Sequence, residues 1–259
     1  NSGKTTLFNR LTGSKQHVGN WPGVTIEKKE GVFQYQEHEI TLVDLPGIYS
    51  LSTYSLEEVV SRDYIMQEHP DLIIDIIDGS NLERNLYLCL QLKELGLPMV
   101  VAINMLDELE SKGIRLDIEK LSKKINTPVV AISAKNGEGV QKLVHDLIHS
   151  TFASTYTYDA DTENSLAEVH ELIKDLPHDA THEKFYDSKL LENDELFVRE
   201  MKLDDKRSAE LESIQKRFCE KKHQTDIDMA VADTRYSHID AIMKECVTNP
   251  HRSDISVSD

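Results

Sequence analysis

Asn1-Ser2-Gly3-Lys4-Thr5-Thr6-Leu7-Phe8 is the stretch on which the fold turns. It reads as the second half of a phosphate-binding loop, G-x-x-x-x-G-K-[ST], entered inside the loop. Gly3 lets the backbone approach an anion so that N–H groups point at phosphate oxygens. Lys4 places an ammonium at the β- and γ-phosphates, and the Thr5 hydroxyl is a Mg²⁺ ligand. Leu7, Phe8 and Leu11 then share one face of a helix that starts at Thr5 or Thr6, with its N-terminal dipole toward the anion. The first glycine of the motif and the strand ahead of it are missing, and there is no initial Met. The chain therefore reads as a fragment at its N-terminus. Gly-Lys-Thr alone also suits an ordinary helix start, so the reading rests on the residues downstream of it.

Residues 13–25 hold Gly13, Gly19 and Gly23 around Trp21 and Pro22, the pattern of a mobile loop rather than a core element. Strand-like runs at 31–35 and 39–43 are joined at Gln36-Glu37-His38, and the second ends in Asp44-Leu45-Pro46-Gly47. A helix follows at 56–67. The run 71–78 is almost continuously apolar, as in a parallel strand buried on both faces. Helical spacing over 81–95 stops at Gly96. A second buried strand at 99–103 ends in Asn104-Met105-Leu106-Asp107. A helix at 117–125 precedes a strand at 129–132, then Ser133-Ala134-Lys135, Asn136-Gly137-Glu138-Gly139 and a helix to about Ser150. This alternation predicts an α/β fold, a mostly parallel sheet with helices on both faces. Ligands bind such sheets beyond the carboxyl ends of the strands. The polar motifs after Val43, Ile103 and Ile132 fall at those ends.

The pattern changes near residue 155. Residues 151–162 read as a polar linker. Beyond it the spacing is helical throughout, at 166–173, 185–191, 211–218 and 227–247. The expected organisation is a nucleotide-binding domain over 1–155 and a smaller all-helical domain over 156–259. The chain has 259 residues, a net charge of −17 and 39% hydrophobic residues. That charge repels phosphate backbones and argues against a nucleic-acid partner. No apolar run reaches the length of a membrane helix. Cys89, Cys219 and Cys246 lack metal spacing and read as reduced thiols, the last two in helix cores. His17 and His38 are isolated from other ligand types and are rejected as metal ligands.

Four stretches point to one chemistry. Gly3-Lys4-Thr5 holds phosphates. In Asp44-x-x-Gly47 the carboxylate reaches the Mg²⁺ shell and the Gly47 N–H meets the γ-phosphate. Thr25 can ligate Mg²⁺ from the loop when a triphosphate is bound. Asn104-x-x-Asp107 offers a carboxylate to the N1–H and N2–H₂ of guanine, a pairing that discriminates strongly against adenine. Ser133-Ala134-Lys135 supplies a backbone N–H to guanine O6. A GTPase that binds GTP/GDP with Mg²⁺ is the function this set implies.

The set resembles the Ras-like P-loop GTPases. It narrows through Val18-Gly19-Asn20-Trp21-Pro22-Gly23-Val24-Thr25, Asp44-Leu45-Pro46-Gly47-Ile48-Tyr49-Ser50, Asn81-Leu82-Glu83-Arg84-Asn85-Leu86-Tyr87-Leu88 and Asn104-Met105-Leu106-Asp107. These are similar to the G domain of the bacterial ferrous-iron transport protein B (FeoB) family. Lys189-Leu190-Leu191-Glu192 and Ala232-Asp233-Thr234-Arg235-Tyr236 resemble that family's helical domain, itself likened to a dissociation inhibitor. Ile255-Ser256-Val257-Ser258-Asp259 resembles the approach to the family's first membrane helix. The resemblance implies a regulatory GTPase at the cytoplasmic face of the bacterial inner membrane. Its partners would be the permease part of the same protein and small accessory transport proteins. It also implies a K⁺ ion held by Asn1 and by the Gly19 and Trp21 carbonyls, which lie in the first switch together with Gly23, Val24 and Thr25. Ile48 stands where many small GTPases carry a water-positioning Gln, so slow intrinsic hydrolysis is expected. Met105 replaces the usual Lys of Asn-Lys-x-Asp, which predicts modest GTP affinity and fast GDP release. The competing readings are a ribosome-assembly GTPase, disfavoured by the acidic helical part, and a non-hydrolysing nucleotide-sensing adaptor.

Overall fold

The computed structural model describes residues 2–52, 54–149 and 155–248. Helix α1 (Lys4–Thr12) begins one residue earlier than its spacing suggests, directly after Gly3, whose φ of 86° is left-handed. The chain then runs antiparallel through β1 (Gln16–Asn20), β2 (Glu27–Tyr35) and β3 (His38–Asp44), in the order β1-β2-β3. The expectation of a mobile loop over 13–25 is corrected here. Residues 16–20 form a strand paired with 27–31, and Trp21 is 5% exposed. Its ring meets Tyr64 edge-on at 5.1 Å, and the Lys28 Nζ stands 5.0 Å from its centroid. An indole packed on an aromatic edge under a cation is a stable arrangement that glycine content does not reveal. Gly31 lets α1 lie against β2, since a Cβ there would meet the Thr12 side chain at 2.4 Å.

After α2 (Leu56–Glu68) the chain builds a parallel sheet. It consists of β4 (Ile73–Asp78), β5 (Met99–Asn104) and β7 (Val129–Ala131), in the order β4-β5-β7. Helix α3 (Leu82–Glu94) crosses from β4 to β5, and Gly96 takes up a left-handed φ after it. Helices α4 (Leu106–Ser111) and α5 (Ile118–Ile125) lie between β5 and β7, and α6 (Val140–His149) follows β7. Every residue of β5 is buried, because both of its faces are covered. Val101 and Ile103 face a cluster with α3, while Val100 and Ala102 face Leu7 of α1 and Leu143 and Val144 of α6. Among the described residues β3 and β4 are not hydrogen-bonded to each other, so α1 spans two three-stranded sheets.

The helical part comprises α7 (Ala160–Ile173), α8 (Glu183–Leu191), α9 (Glu195–Met201), α10 (Asp205–Lys222) and α11 (Ile227–Cys246). One expectation is corrected. The linker ends at Asp159, whose carboxylate caps α7, and Thr162 is buried inside that helix. The part is helical through Cys246, as expected. The two-residue strand β8 (Val247–Thr248) pairs with β6 (Arg115–Leu116) and returns the chain to the first domain. Residues 255–259 and Asn1 lie outside the described residues.

The apolar cluster under α3 continues without a break into α7, α8, α10 and α11 through Leu86, Leu90, Phe185, Leu190 and Ile239. At its centre Arg235 of α11 is 1% exposed. Its guanidinium donates to both carboxylate oxygens of Glu94 on α3, to Glu192 and to Ser188 of α8. Burial alone would raise the Glu192 carboxyl, but Arg235 and Lys189 hold it down at about 2. Arg235, within a sequence motif of the helical part, is thus the cation that docks it to α3, while Lys189 pairs with Glu192 and Asp194 inside the helical part.

Asp75 of β4 is buried beside Cys89, and one carboxylate oxygen has no hydrogen-bond partner. Burial pushes its carboxyl up from 3.8 to about 7, outweighing the lowering effect of the Cys89 thiol. The folded state therefore holds this proton more tightly than the unfolded chain. Its contribution is complete below about pH 4 and is lost as the pH rises toward 7. In urea titrations the stability of Asp75→Asn relative to the parent should rise by up to ~1.4 kcal/mol per pH unit across that window and level off above it. A difference that is flat from pH 4 to pH 8 would contradict this.

Candidate functional site

The ends of β3 and β5, the start of α1 and the loop after β7 meet at one crevice. Lys4 Nζ pairs with the Asp44 carboxylate and also donates to the Leu45 carbonyl. The Asp44 side chain is 8% exposed, so its charge is held against the ammonium rather than in bulk water. No side chain caps α1, which leaves the N–H groups of its first turn facing the crevice, with Thr5 and Thr6 exposed there. Gly47 is exposed, and Leu45 and Pro46 are half-buried.

Asn104, 5% exposed at the end of β5, joins the two ends of the crevice. Its Nδ2 donates to the Ser2 carbonyl at 2.9 Å, and its Oδ1 accepts from the Ala134 N–H at 3.1 Å. The fit is close: a Cβ on Gly3 would meet Asn104 Nδ2 at 2.2 Å. Met105 turns the chain through a left-handed φ of 61° and starts α4, whose first turn presents Asp107 to solvent. Ser133 Oγ accepts from the Asn136 N–H at 3.2 Å and shapes the loop that carries Ala134 and Lys135.

The first-switch residues lie elsewhere. Gly19 pairs with Lys28, and Lys29 pairs with Asp44, so β2 separates Gly19 from Asp44 by about 10 Å. Trp21, Gly23, Val24 and Thr25 form the tip of the β1–β2 hairpin, where the Val24 N–H donates to the Trp21 carbonyl. Thr25 is four residues beyond the Lys29–Asp44 pair, roughly 13 Å along an extended chain. This conformation does not bring them to Lys4.

Sequence reasoning missed two supporting residues, Arg10 and Gln91, and considered Glu58 only as a contact to the first switch or a solvated helix face. Arg10 Nε donates to the Ala134 carbonyl at 2.9 Å, and its guanidinium also reaches the Lys135 carbonyl, so α1 holds the loop after β7. Gln91, buried within α3, accepts from the Leu51 N–H at 2.7 Å and anchors the segment after Gly47. A polar side chain inside the apolar face of α3 was the available signal. Glu58 binds Ser50 and Ser52 and completes a capping box with Ser55, which the Ser-x-x-Glu spacing announces. It is thus occupied in its own segment.

The family described as Ferrous iron transport protein B matches residues 1–147. The chain belongs to the FeoB family. A second family, the FeoB cytosolic helical domain, matches residues 158–248. The Fe(2+) transporter FeoB of Escherichia coli K12 is 54% identical over 147 residues, which are 55% of this chain and 19% of that protein. The chain thus matches about a fifth of the length of such curated relatives. A GDP-bound S. thermophilus FeoB G-domain matches with a TM-score of 0.88 at 38% identity, covering 96% of each chain. The L. pneumophila FeoB cytosolic domain matches with a TM-score of 0.81 at 35% identity, again over 96% of each chain. The fold is therefore the Ras-like G domain with the helical domain of FeoB.

Asn104→Ala removes one buried and one partly buried hydrogen bond, to the Ala134 N–H and the Ser2 carbonyl. It should lower the unfolding free energy by roughly 1–3 kcal/mol in urea titrations. An unchanged midpoint and slope would show that Asn104 does not brace the crevice.

Proposed function

We propose that this chain binds and hydrolyses GTP, as the regulatory part of a ferrous-iron transporter at the cytoplasmic face of the membrane. The observation that carries the reading is the convergence of Lys4, Asp44, Asn104 and Ala134 on one crevice. A magnesium nucleotide fits the residues present: an uncapped helix start, an ammonium, an exposed Thr5 hydroxyl and a nearly buried carboxylate. Thr5 and Asp44 would hold Mg²⁺, which when bound supplies charge neutralisation at the phosphates.

The residues then divide the work. The α1 amides and Lys4 neutralise the β- and γ-phosphate oxygens as negative charge moves toward the leaving group. Asp44 would turn from Lys4 toward Mg²⁺ when a magnesium nucleotide binds, which would free the Lys4 ammonium for the phosphates. The Gly47 N–H donates to the γ-phosphate. Asp107 accepts from guanine N1–H and N2–H₂, and the Ala134 N–H is directed at O6 as Asn104 releases it or shares it. Ile48 cannot orient an attacking water, which favours slow turnover. Thr25 reaches the γ-phosphate only if the β1–β2 hairpin leaves its place beside α2. A K⁺ site from Asn1, Gly19 and Trp21 requires the same rearrangement, since the Trp21 carbonyl is engaged by Val24.

In the longer protein the helical domain would relay the nucleotide state to the permease, with small accessory transport proteins as further partners. Among the described residues no helix is long and apolar enough to cross a membrane. The absent glutamine leaves a second reading, a nucleotide-sensing adaptor without turnover. Phosphate release should be faster in KCl than in NaCl. Equal rates in both salts would remove potassium from the reading, and no release in either would favour the adaptor. Asp107→Asn should shift preference from GTP to xanthosine triphosphate in competition binding. Undiminished GTP preference would refute the guanine assignment.

A further inference from the structure

Away from the crevice, three side chains meet where the two domains join. His69 is the C-cap of α2, with a left-handed φ of 46°. Asp179 and His182 belong to the short helical turn Ala180–His182 and its cap, between α7 and α8. One ligand atom from each lies within 4.8 Å of the others, and among the described residues this is the group of that kind. The Asp179 Oδ2 is 3.6 Å from His69 Nδ1 and 4.0 Å from His182 Nε2. The two imidazoles are nearly parallel, with 11° between planes and 5.8 Å between centroids.

The deciding residue is His182. It is 0% exposed, and its Nδ1 lies 2.7 Å from the Leu95 carbonyl. A carbonyl only accepts, so Nδ1 carries a proton, and in the neutral ring a metal needs, Nε2 offers its lone pair. That Nε2 is buried without a hydrogen-bond partner, and it faces the Asp179 oxygen and His69. An unpaired buried nitrogen costs free energy unless something binds it. A backbone carbonyl on the far ring nitrogen is the usual support of a metal-ligating histidine. Asp179 is prepared in a similar way. Its Oδ1 accepts from the Thr181 N–H at 2.8 Å, which leaves Oδ2 for the two rings.

We infer that His69, Asp179 and His182 form a binding site for a divalent first-row transition-metal ion such as Zn²⁺ or Fe²⁺. Two imidazoles and one carboxylate suit these ions and not Mg²⁺, which prefers oxygen ligands. Ligands around such an ion stand about 3.3 Å apart in tetrahedral geometry, so the two nitrogens close on the Asp179 oxygen by about 0.3 and 0.7 Å, and the widest spacing in the group by up to about 1.5 Å, through side-chain rotation. His69 is half-exposed, and water from that side completes the coordination. The ion would pin the end of α2 to the helical domain and to the Leu95 carbonyl at the end of α3. The site does not depend on the nucleotide reading.

The test is a Co²⁺ titration of the purified chain in excess Mg²⁺, read by visible ligand-field absorption, followed by displacement with Zn²⁺. The stacked, exposed pair His145 and His149 on α6 is another place for a metal, so the titration uses the His145→Ala, His149→Ala background. The expected result is a single saturable equivalent. It should weaken about tenfold or more in His69→Asn and in Asp179→Asn. Asn suits both the left-handed cap at 69 and the helix cap at 179, so both variants keep their local backbone. In the same His145→Ala, His149→Ala background, substoichiometric Zn²⁺ should shift the NMR ring resonances of His69 and His182 before those of other histidines. Absence of ligand-field bands, unchanged affinity in both variants, or earlier shifts at other histidines would each overturn the site.

Discussion

A guanidinium sealed in the apolar core imposes the strongest single demand on this molecule. Arg235 has almost no contact with water, so each of its donors must be answered from within. Glu94 answers from α3, Glu192 and Ser188 from α8 and its end, and Tyr87 adds its hydroxyl. Tyr158 in turn donates to Glu94 at 2.5 Å. Moving α11 away from α3 would strand a buried charge, a loss of about 3–5 kcal/mol before any apolar contact is counted. The helical part is consequently held by a geometry with little tolerance for sliding. Leu86, Leu90 and Phe185 around it share one continuous core.

The crevice is assembled on a different principle. Its polar groups lie at chain ends and loops, and they are located by a few side chains that reach across. Asn104 stands at the end of the fully buried β5, the most constrained strand in the sheet, and bonds both the Ser2 carbonyl and the Ala134 amide. Arg10 repeats the service from α1. A displacement at Ser2 is thus felt at Ala134 through the Asn104 amide, and one of α1 through Arg10. The Lys4–Asp44 pair keeps two opposite charges partly shielded where a more highly charged ligand would sit.

How much can be read from residues alone depends on the range of the forces involved. The longer helices and strands from 56 to 149 are legible because apolar periodicity is local, and the buried β5 reads as an interior strand, whereas the six-residue α4 and two-residue β6 are too short to show a period. Lys4, Asp44, Asn104 and Ala134 are expected at strand ends and loops, and they do meet there. Trp21 is misjudged because its burial depends on Tyr64 and Lys28, which no local pattern announces. The β6–β8 pairing is invisible because each strand is only two residues long and its partner is remote. His182 carries no local sign either. Its partner His69 caps α2, and only folding makes them neighbours.

Trp21 is the sole tryptophan of the chain. It stands on the hairpin that would have to move and against the helix that follows Asp44. The indole N–H is buried without a partner, so it is shielded from solvent quenchers and from the red shift that water causes. The molecule therefore has a built-in fluorophore at the seam between the β1–β2 hairpin and α2. Its emission reports whether that seam is open without any label being attached.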